Sequence, residues 1–319
     1  MIFTQTPFRI SLFGGSTDYE SYYSQYGSFL LGFTIDKYCY ICLRKSPAVF
    51  EHKDIISYSE IERVNNHSDI KHNGVRGVLE YLKIEYGIEL IHLCDLPSQT
   101  GIGSSSAFIV GLLNSIYRLE NKKISKKELA KLAITIERKY LKESGGIQDQ
   151  IWASYGGFNS IEIYHDGSFQ VRPMPVSDDF INKFLDRTIL IYTGKTRKSF
   201  ELATIHDKSE NDIYKHRIKR LALRAYESFQ DEDIDDIGYL LHEAWGEKKK
   251  ISHKISSEGV EEIYNDLKNS GAIIGGKLLG AGGSCFLFCV INKKKKSLVK
   301  YKKNIVNFGI NWTGTKLIS

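Results

Sequence analysis

No stretch of the 319-residue chain approaches the roughly 18 consecutive apolar residues of a membrane span. The first residues, MIFTQTPFRIS, lack the basic segment and apolar block of a secretory signal, so the cytoplasm is the expected location. Cysteine is scarce and odd in number, five in all: Cys39, Cys42, Cys94, Cys285 and Cys289. An odd count without a signal argues against a disulfide framework. Cys39 and Cys42 form a C-x-x-C, but within KYCYICLRK, which reads as a strand. Residues three apart on a strand face opposite sides, so this pair is expected to be core thiols and not a metal clamp.

Nucleotide and nucleic-acid fingerprints are missing as well. The chain has no G-x-x-x-x-G-K-[ST], and its one G-x-G before a helix lacks the third glycine of the dinucleotide pattern. No zinc finger, helix-turn-helix or RNP pattern accompanies the net charge of +6, so no nucleic-acid partner is expected. Much of that charge sits in Lys293–Lys296, Lys300, Lys302 and Lys303, which reads as a solvated helix face. An enzyme whose ligands are phosphates would also carry such a balance.

What is present is ordinary globular composition, 42% hydrophobic and 26% charged. FTQTPFRISLF and FLLGFTIDKYCYICLRK have the β-branched and aromatic enrichment of strands. GVRGVLEYLKIEYG reads as a helix, ELIHLCDLP as a strand, and AFIVGLLNSIYRL as a buried helix apolar on all sides. Ser125 and Glu128 form a capping box opening the helix KKELAKLAITIERKYLKES, which should end at Gly145-Gly146. Its apolar face comprises Leu129, Leu132, Ala133, Ile136 and Tyr140, with Glu137 on the shoulder. GGFNSIEIYHDGSFQVRPM reads as a hairpin turning at Asp166-Gly167. A second part, begun near Val176, runs through the strand RTILIYTG, a helical stretch from about Ser199 to Asn269, the glycine-turn strand AIIGGKLLGAGGSCFLFCVI, the lysine-rich helix and a last strand around IVNFGINW. Two α+β units, 1–175 and 176–319, around a shared cleft are the expected architecture.

Three glycine-rich stretches stand far apart, at Phe13–Asp18, Gly101–Ser106 and Gly280–Ser284. Glycine lets backbone N–H groups turn toward a ligand, and a helix start adds free donors and partial positive charge. The stretch 101–106 meets a helix at once, so it reads either as an anion cradle or as a plain serine-capped helix start.

The order of the stretches is more specific than any one of them. PFRISLFGGSTD (7–18), PSQTGIGSSSA (97–107) and KLLGAGGSCF (277–286) resemble, in order and spacing, the three motifs of the GHMP kinases, the galactokinase, homoserine, mevalonate and phosphomevalonate kinase superfamily. GIQDQ at 146–150 resembles the G-x-x-D-Q segment of its sugar kinase branch. Within that branch, TQTPFRISLFGGSTDYESYY, IERKYLKESGGIQDQIWASYGGFN and YTGKTR (192–197) are similar to the heptose 7-phosphate kinase group. The chain departs from the group at Ser16, Ser284 and Cys285, where glycine is usual.

The resemblance implies an N-terminal unit of the ribosomal protein S5 domain 2-like fold and a C-terminal ferredoxin-like unit. It also implies a cytoplasmic ATP-dependent kinase that phosphorylates the anomeric hydroxyl of a sugar, most closely D-glycero-D-manno-heptose 7-phosphate. A free hexose such as fucose or galactose, or non-catalytic binding on the same fold, are the alternatives. By the same resemblance Gly101, Ile102, Gly103, Ser104, Ser105 and Ser106 would wrap the ATP phosphates, and Ser105 and Glu137 would hold Mg²⁺. Asp149 would face the acceptor hydroxyl as base beside Arg9. Thr17, Asp18, Gly146 and Gly282 would contact the sugar. Lys195 and Arg197, beside Lys198, would meet a substrate phosphate, or else form a solvated loop run. The expected partners are nucleotide and sugar or sugar phosphate, with no membrane, and a homodimer is left open.

Overall fold

The structure, a computed structural model, describes residues 1–98, 100–194, 206–283, 285–292 and 295–318, with side chains of 295–299 excepted. Two sheets organise it. The first uses β1 (Ile2–Phe13), β2 (Ser28–Lys45), β3 (Asp54–Ser57), β4 (Ile61–Val64), β5 (Ile88–Cys94), β6 (Phe158–Ile163) and β7 (Phe169–Pro173). The second uses β8 (Thr188–Tyr192), β9 (Ile273–Leu278), β10 (Phe286–Ile291) and β11 (Ile305–Val306), in the order β11-β8-β10-β9. The short β12 (Lys316–Leu317) returns to pair with β1.

β2 is the spine of the first sheet. Its first half pairs with β6 from Ser28 to Phe33, and its second half pairs with β5 from Cys39 to Lys45. Its other edge carries β1, and that ladder slips register between Pro7 and Arg9 and again between Ser11 and Phe13. A bulge re-aims the side chains that follow it, and Arg9 stands at the first one.

Nine α-helices lie among the described residues: α1 (Glu20–Tyr26), α2 (Asn73–Tyr81), α3 (Ser104–Leu119), α4 (Lys126–Ile134), α5 (Gln148–Tyr155), α6 (Asp178–Asp186), α7 (Asp212–Gln230), α8 (Ile234–Ile251) and α9 (Glu258–Asn269). None is long and apolar enough to cross a membrane. As expected of a helix apolar on all sides, α3 is buried from Ser106 through Ile116. One core spans both sheets: Phe33 of β2 packs on Phe184 of α6 and on Phe288 of β10, with ring centroids 6.3 and 6.1 Å apart. Edge-to-face pairs of this kind add about 0.5–1.5 kcal/mol each beyond their buried area.

The capping box forms as read, with Ser125 accepting from Glu128 N–H and Glu128 reaching back to Ser125 N–H. The rest of that helix differs from expectation. It does not run to Gly145; α4 ends at Ile134, and Thr135–Tyr140 form a turn of π-helix. Its wider ladder is closed by Leu141 N–H to the Ile136 carbonyl, five residues back. A π turn advances each residue by a smaller angle than 3.6-residue periodicity assumes. Tyr140 therefore rotates out to 43% exposure, and Glu137 rotates from the shoulder into full burial.

Other differences are local. The lysine-rich segment is a 3₁₀-helix, Lys295–Asn304. The strand expected around IVNFGINW reduces to Ile305–Val306 plus a bridge from Ile310 back to Ile35 on the first sheet. Asp149 stands in the first turn of α5, where a negative side chain suits the helix end.

Candidate active site

A cleft of about 1310 Å³ opens between the two sheets, and all three glycine stretches line it: Gly15, Ser16 and Asp18; Gly101 and Gly103 to Ser106; Gly280 and Ala281. The second and third touch back to back, since a Cβ on Gly280 would run into the Gly101 backbone.

Arg9 ties the site together. Its backbone N–H donates to the Ile102 carbonyl at 3.0 Å. Its guanidinium donates through Nη1 to the Gly101 carbonyl at 2.5 Å, and through Nε and Nη2 to the two Asp149 oxygens at 2.7 and 2.8 Å. One side chain from β1 thus fixes both the glycine turn and the start of α5. The forked pairing holds the Asp149 carboxylate in one orientation. Gly103, in the left-handed region at φ 78, forms the N-cap of α3, and its Cα hydrogens face Arg9 and Asp149. The first N–H groups of a helix lack intrahelical acceptors, so the α3 start presents donors to the cleft beside this ion pair.

On one side lies Asp18. Its carboxylate accepts from the N–H groups of Ser16 at 3.2 Å and Gln148 at 3.3 Å. Burial, and then the neighbouring Asp149 charge, hold its pKa above the ordinary value. On the other side lies Glu137, its carboxylate bound by Ser106 Oγ at 3.1 and 2.8 Å and by the Gln150 amide. Ser105 Oγ stands 3.5 Å from it, at the outer limit of a hydrogen bond. Burial lifts the Glu137 carboxyl to about 7, partly offset by Arg138, whose guanidinium is 3.9 Å away.

Not every expected residue reaches the cleft. Ile102 is wholly buried and contributes only its carbonyl. Thr17 is buried too, its hydroxyl bonded to the Gly14 carbonyl at 2.7 Å and to Ser28 at 2.5 Å, so it supports the turn from behind. Gly282 packs against the Ile255 backbone, and Gly280 and Ala281 line the cleft in its place. Gly146 does line it, hard against the Asp18 carboxylate. Lys195 and Arg197 lie outside the described residues.

Several cleft residues escaped the reading of the sequence. Lys248 and Lys277 are buried and line the cleft; burial and then the nearby positive charges draw Lys248 down to about 8 and Lys277 well below its usual value. Lys248 donates to the Gly280 carbonyl and so ties α8 to the third glycine stretch, and Lys277 donates to the Leu12 carbonyl at 3.0 Å and so ties β9 to the end of β1 just before the first. His206, buried and held neutral by that burial, is bonded to the Ala281 carbonyl at 2.6 Å. A lysine within the KKK run at 248–250 reads as surface charge, and only the packing of α8 against the second sheet reveals otherwise.

The fit of Gly146 yields a first prediction. A methyl group there would overlap the Asp18 carboxylate, which cannot retreat without losing the Gln148 N–H. Gly146→Ala should destabilise the fold by ~1–3 kcal/mol, as overpacking does. A melting temperature equal to wild type would show that Asp18 is free to move.

A glycine turn at a helix start, a carboxylate clamped by arginine, and a buried carboxylate beside serine hydroxyls are parts that phosphoryl transfer can use. Comparisons with known proteins agree. The GHMP kinases N terminal domain family matches residues 73–157, and the GHMP kinases C terminal family matches residues 225–304. The chain belongs to the GHMP kinase family. It is 32% identical over 312 residues to the D-glycero-alpha-D-manno-heptose 7-phosphate kinase of Campylobacter jejuni, covering 93% of this chain and 91% of that protein. Among solved structures, a D-glycero-D-manno-heptose 1-phosphate kinase from Bacteriodes thetaiotaomicron superposes with a TM-score of 0.81 at 20% identity, covering 100% of this chain and 99% of that one, a likeness of fold. A putative sugar kinase from Campylobacter jejuni superposes with a TM-score of 0.76 at 29% identity, covering 99% and 97%.

Proposed function

We propose that this ATP-dependent sugar kinase phosphorylates the anomeric hydroxyl of D-glycero-D-manno-heptose 7-phosphate, giving the 1,7-bisphosphate. The observation that carries the reading is Asp149, clamped by Arg9 under the Gly103 turn and beside Asp18. In this reading one carboxylate stands between the glycine turn that would cradle phosphate and a second carboxylate that would accept sugar hydroxyls. The 32% identical heptose 7-phosphate kinase supports the choice of sugar.

In this reading Gly101, Gly103 and Ser104–Ser106 receive the ATP phosphates, and Ile102 supports the turn through its backbone. Asp18 and the Gly146 segment orient the sugar. The anomeric oxygen attacks the γ-phosphorus, its proton passes to Asp149, and the bond to the departing ADP oxygen breaks. Arg9, Lys248 and Lys277 offset the negative charge gathered there. The residues also fit a magnesium ion. Glu137 is a buried carboxylate with the Ser106 and Ser105 hydroxyl oxygens 2.8 and 3.5 Å away, oxygen donors of the kind this ion prefers. Glu137 and Ser105 would hold it, with Ser106 and Gln150 fixing the carboxylate. Bound there, the ion would neutralise charge on the phosphates.

An ADP-release assay over phosphorylated and free aldoses under saturating Mg-ATP tests the reading. Turnover should be fastest with the heptose 7-phosphate, and phosphorus NMR of the product should show a new anomeric phosphate. Preference for free fucose or galactose would move the assignment to another sugar, and no ADP from any aldose would remove it.

A further inference from the structure

The cleft wall carries a cluster that the chemistry above does not use. β2 and β5 run antiparallel with Cys39 directly opposite Cys94. Asp95 N–H donates to the Tyr38 carbonyl at 3.0 Å, which marks the adjacent pair as the hydrogen-bonded one. Cys39 and Cys94 are then a non-hydrogen-bonded pair, the kind whose side chains approach most closely. His92 precedes Cys94 by two residues and shares its face. Cys94 Sγ lies 3.1 Å from His92 Nε2, and one ligand atom from each of the three residues lies within 4.8 Å of the others.

The surroundings hold this arrangement. Cys39 is buried in the core, and the His92 ring meets Phe108 of α3 edge-on with centroids 4.7 Å apart. His92 and Cys94 form part of the cleft wall. Cys39 and Cys42 face opposite ways and so do not share a metal, but only Cys39 is a core thiol, Cys42 being half-buried; the partner of Cys39 comes from a strand 55 positions further on.

We propose that Cys39, His92 and Cys94 form a binding site for a thiophilic divalent metal ion of the zinc class, with its fourth position open to the cleft. Two sulfurs and an imidazole suit that class and not magnesium, which takes oxygen. Tetrahedral bonds of about 2.3 Å to sulfur and 2.0–2.1 Å to nitrogen separate the donors by roughly 3.5–3.8 Å, so small side-chain rotations suffice here. The nearby Asp95 does not complete the set. Its carboxylate accepts from Tyr38 N–H at 2.9 Å and from the Tyr40 hydroxyl at 3.3 Å, which leaves the fourth place to water or a ligand atom.

Cobalt(II) is the probe. The whole protein, freed of metal and kept reduced, should bind one equivalent with a thiolate-to-cobalt charge-transfer band and tetrahedral visible bands, both abolished by one equivalent of zinc. Cys94→Ser, at a position exposed enough to spare the fold, should lose most of the charge-transfer intensity and bind at least tenfold more weakly. Cys42→Ser should match wild type. Absence of the charge-transfer band, or a band unchanged in Cys94→Ser, overturns the site. So does a count of three thiols, not the five free cysteines, in protein denatured without reductant, because the missing two would be joined as a disulfide.

Discussion

Asp149→Asn should lower kcat by ~10²–10⁴-fold, the range general-base catalysis supplies, and change the sugar KM only a few-fold. The argument rests on what the substitution leaves intact. Asparagine keeps one acceptor for Arg9, so the guanidinium retains its bonds to the Gly101 carbonyl and to residue 149. The glycine turn and the start of α5 should stay joined, and melting should fall by a few degrees at most. What is lost is the place for the sugar proton. The pattern of low kcat with little change in KM separates this role from a structural one, because a residue that merely shaped the cleft would move KM first. Activity within tenfold of wild type would falsify the assignment of Asp149 as base and leave it a positioning residue for Arg9.

The parts of this site legible in the sequence are those whose residue type forces a backbone. The glycine stretches announced turns, the capping box announced α4, and the order of the motifs carried the family. The parts that were not legible depend on packing between distant segments. Lys248 sits among three consecutive lysines and Lys277 at the end of a glycine pair, and nothing local distinguishes a buried lysine from a solvated one. Regular helical spacing puts Glu137 on a shoulder; the π turn at 135–140 lengthens the ladder and swings it inward. Pairing between β2 and β5 is likewise beyond a local reading, so the meeting of Cys39 with Cys94, 55 positions apart, leaves no mark in the local sequence. The strands β3, β4 and β12 have four, four and two residues, too short for alternation to register.

Glu137→Gln should abolish two linked behaviours that a structural carboxylate would not show together. In the ligand-free protein the Glu137 pKa rises from 4.5 to about 7. Between those values the folded protein holds a proton that the unfolded chain has released. Stability therefore falls as pH rises from about 4.5 through 7, by up to about 3 kcal/mol if no other group compensates. The isosteric glutamine cannot ionise and still accepts from Ser106, so its melting temperature should be flatter across the same window and higher than wild type above pH 7 without metal. Magnesium should reverse that order. A cation at the deprotonated carboxylate favours the ionised form, so wild type at pH 7.5 should gain stability from millimolar Mg²⁺ and nucleotide, and the variant should gain much less. Activity should fall in the variant with a raised magnesium requirement, because the charge that balances the phosphates is held less firmly. Melting curves with chelator and with magnesium, taken from pH 5 to 8, measure both effects on one protein. If the variant kept the wild-type pH slope and the wild-type magnesium response, the buried carboxylate would be a packing residue and the cation would have to bind elsewhere.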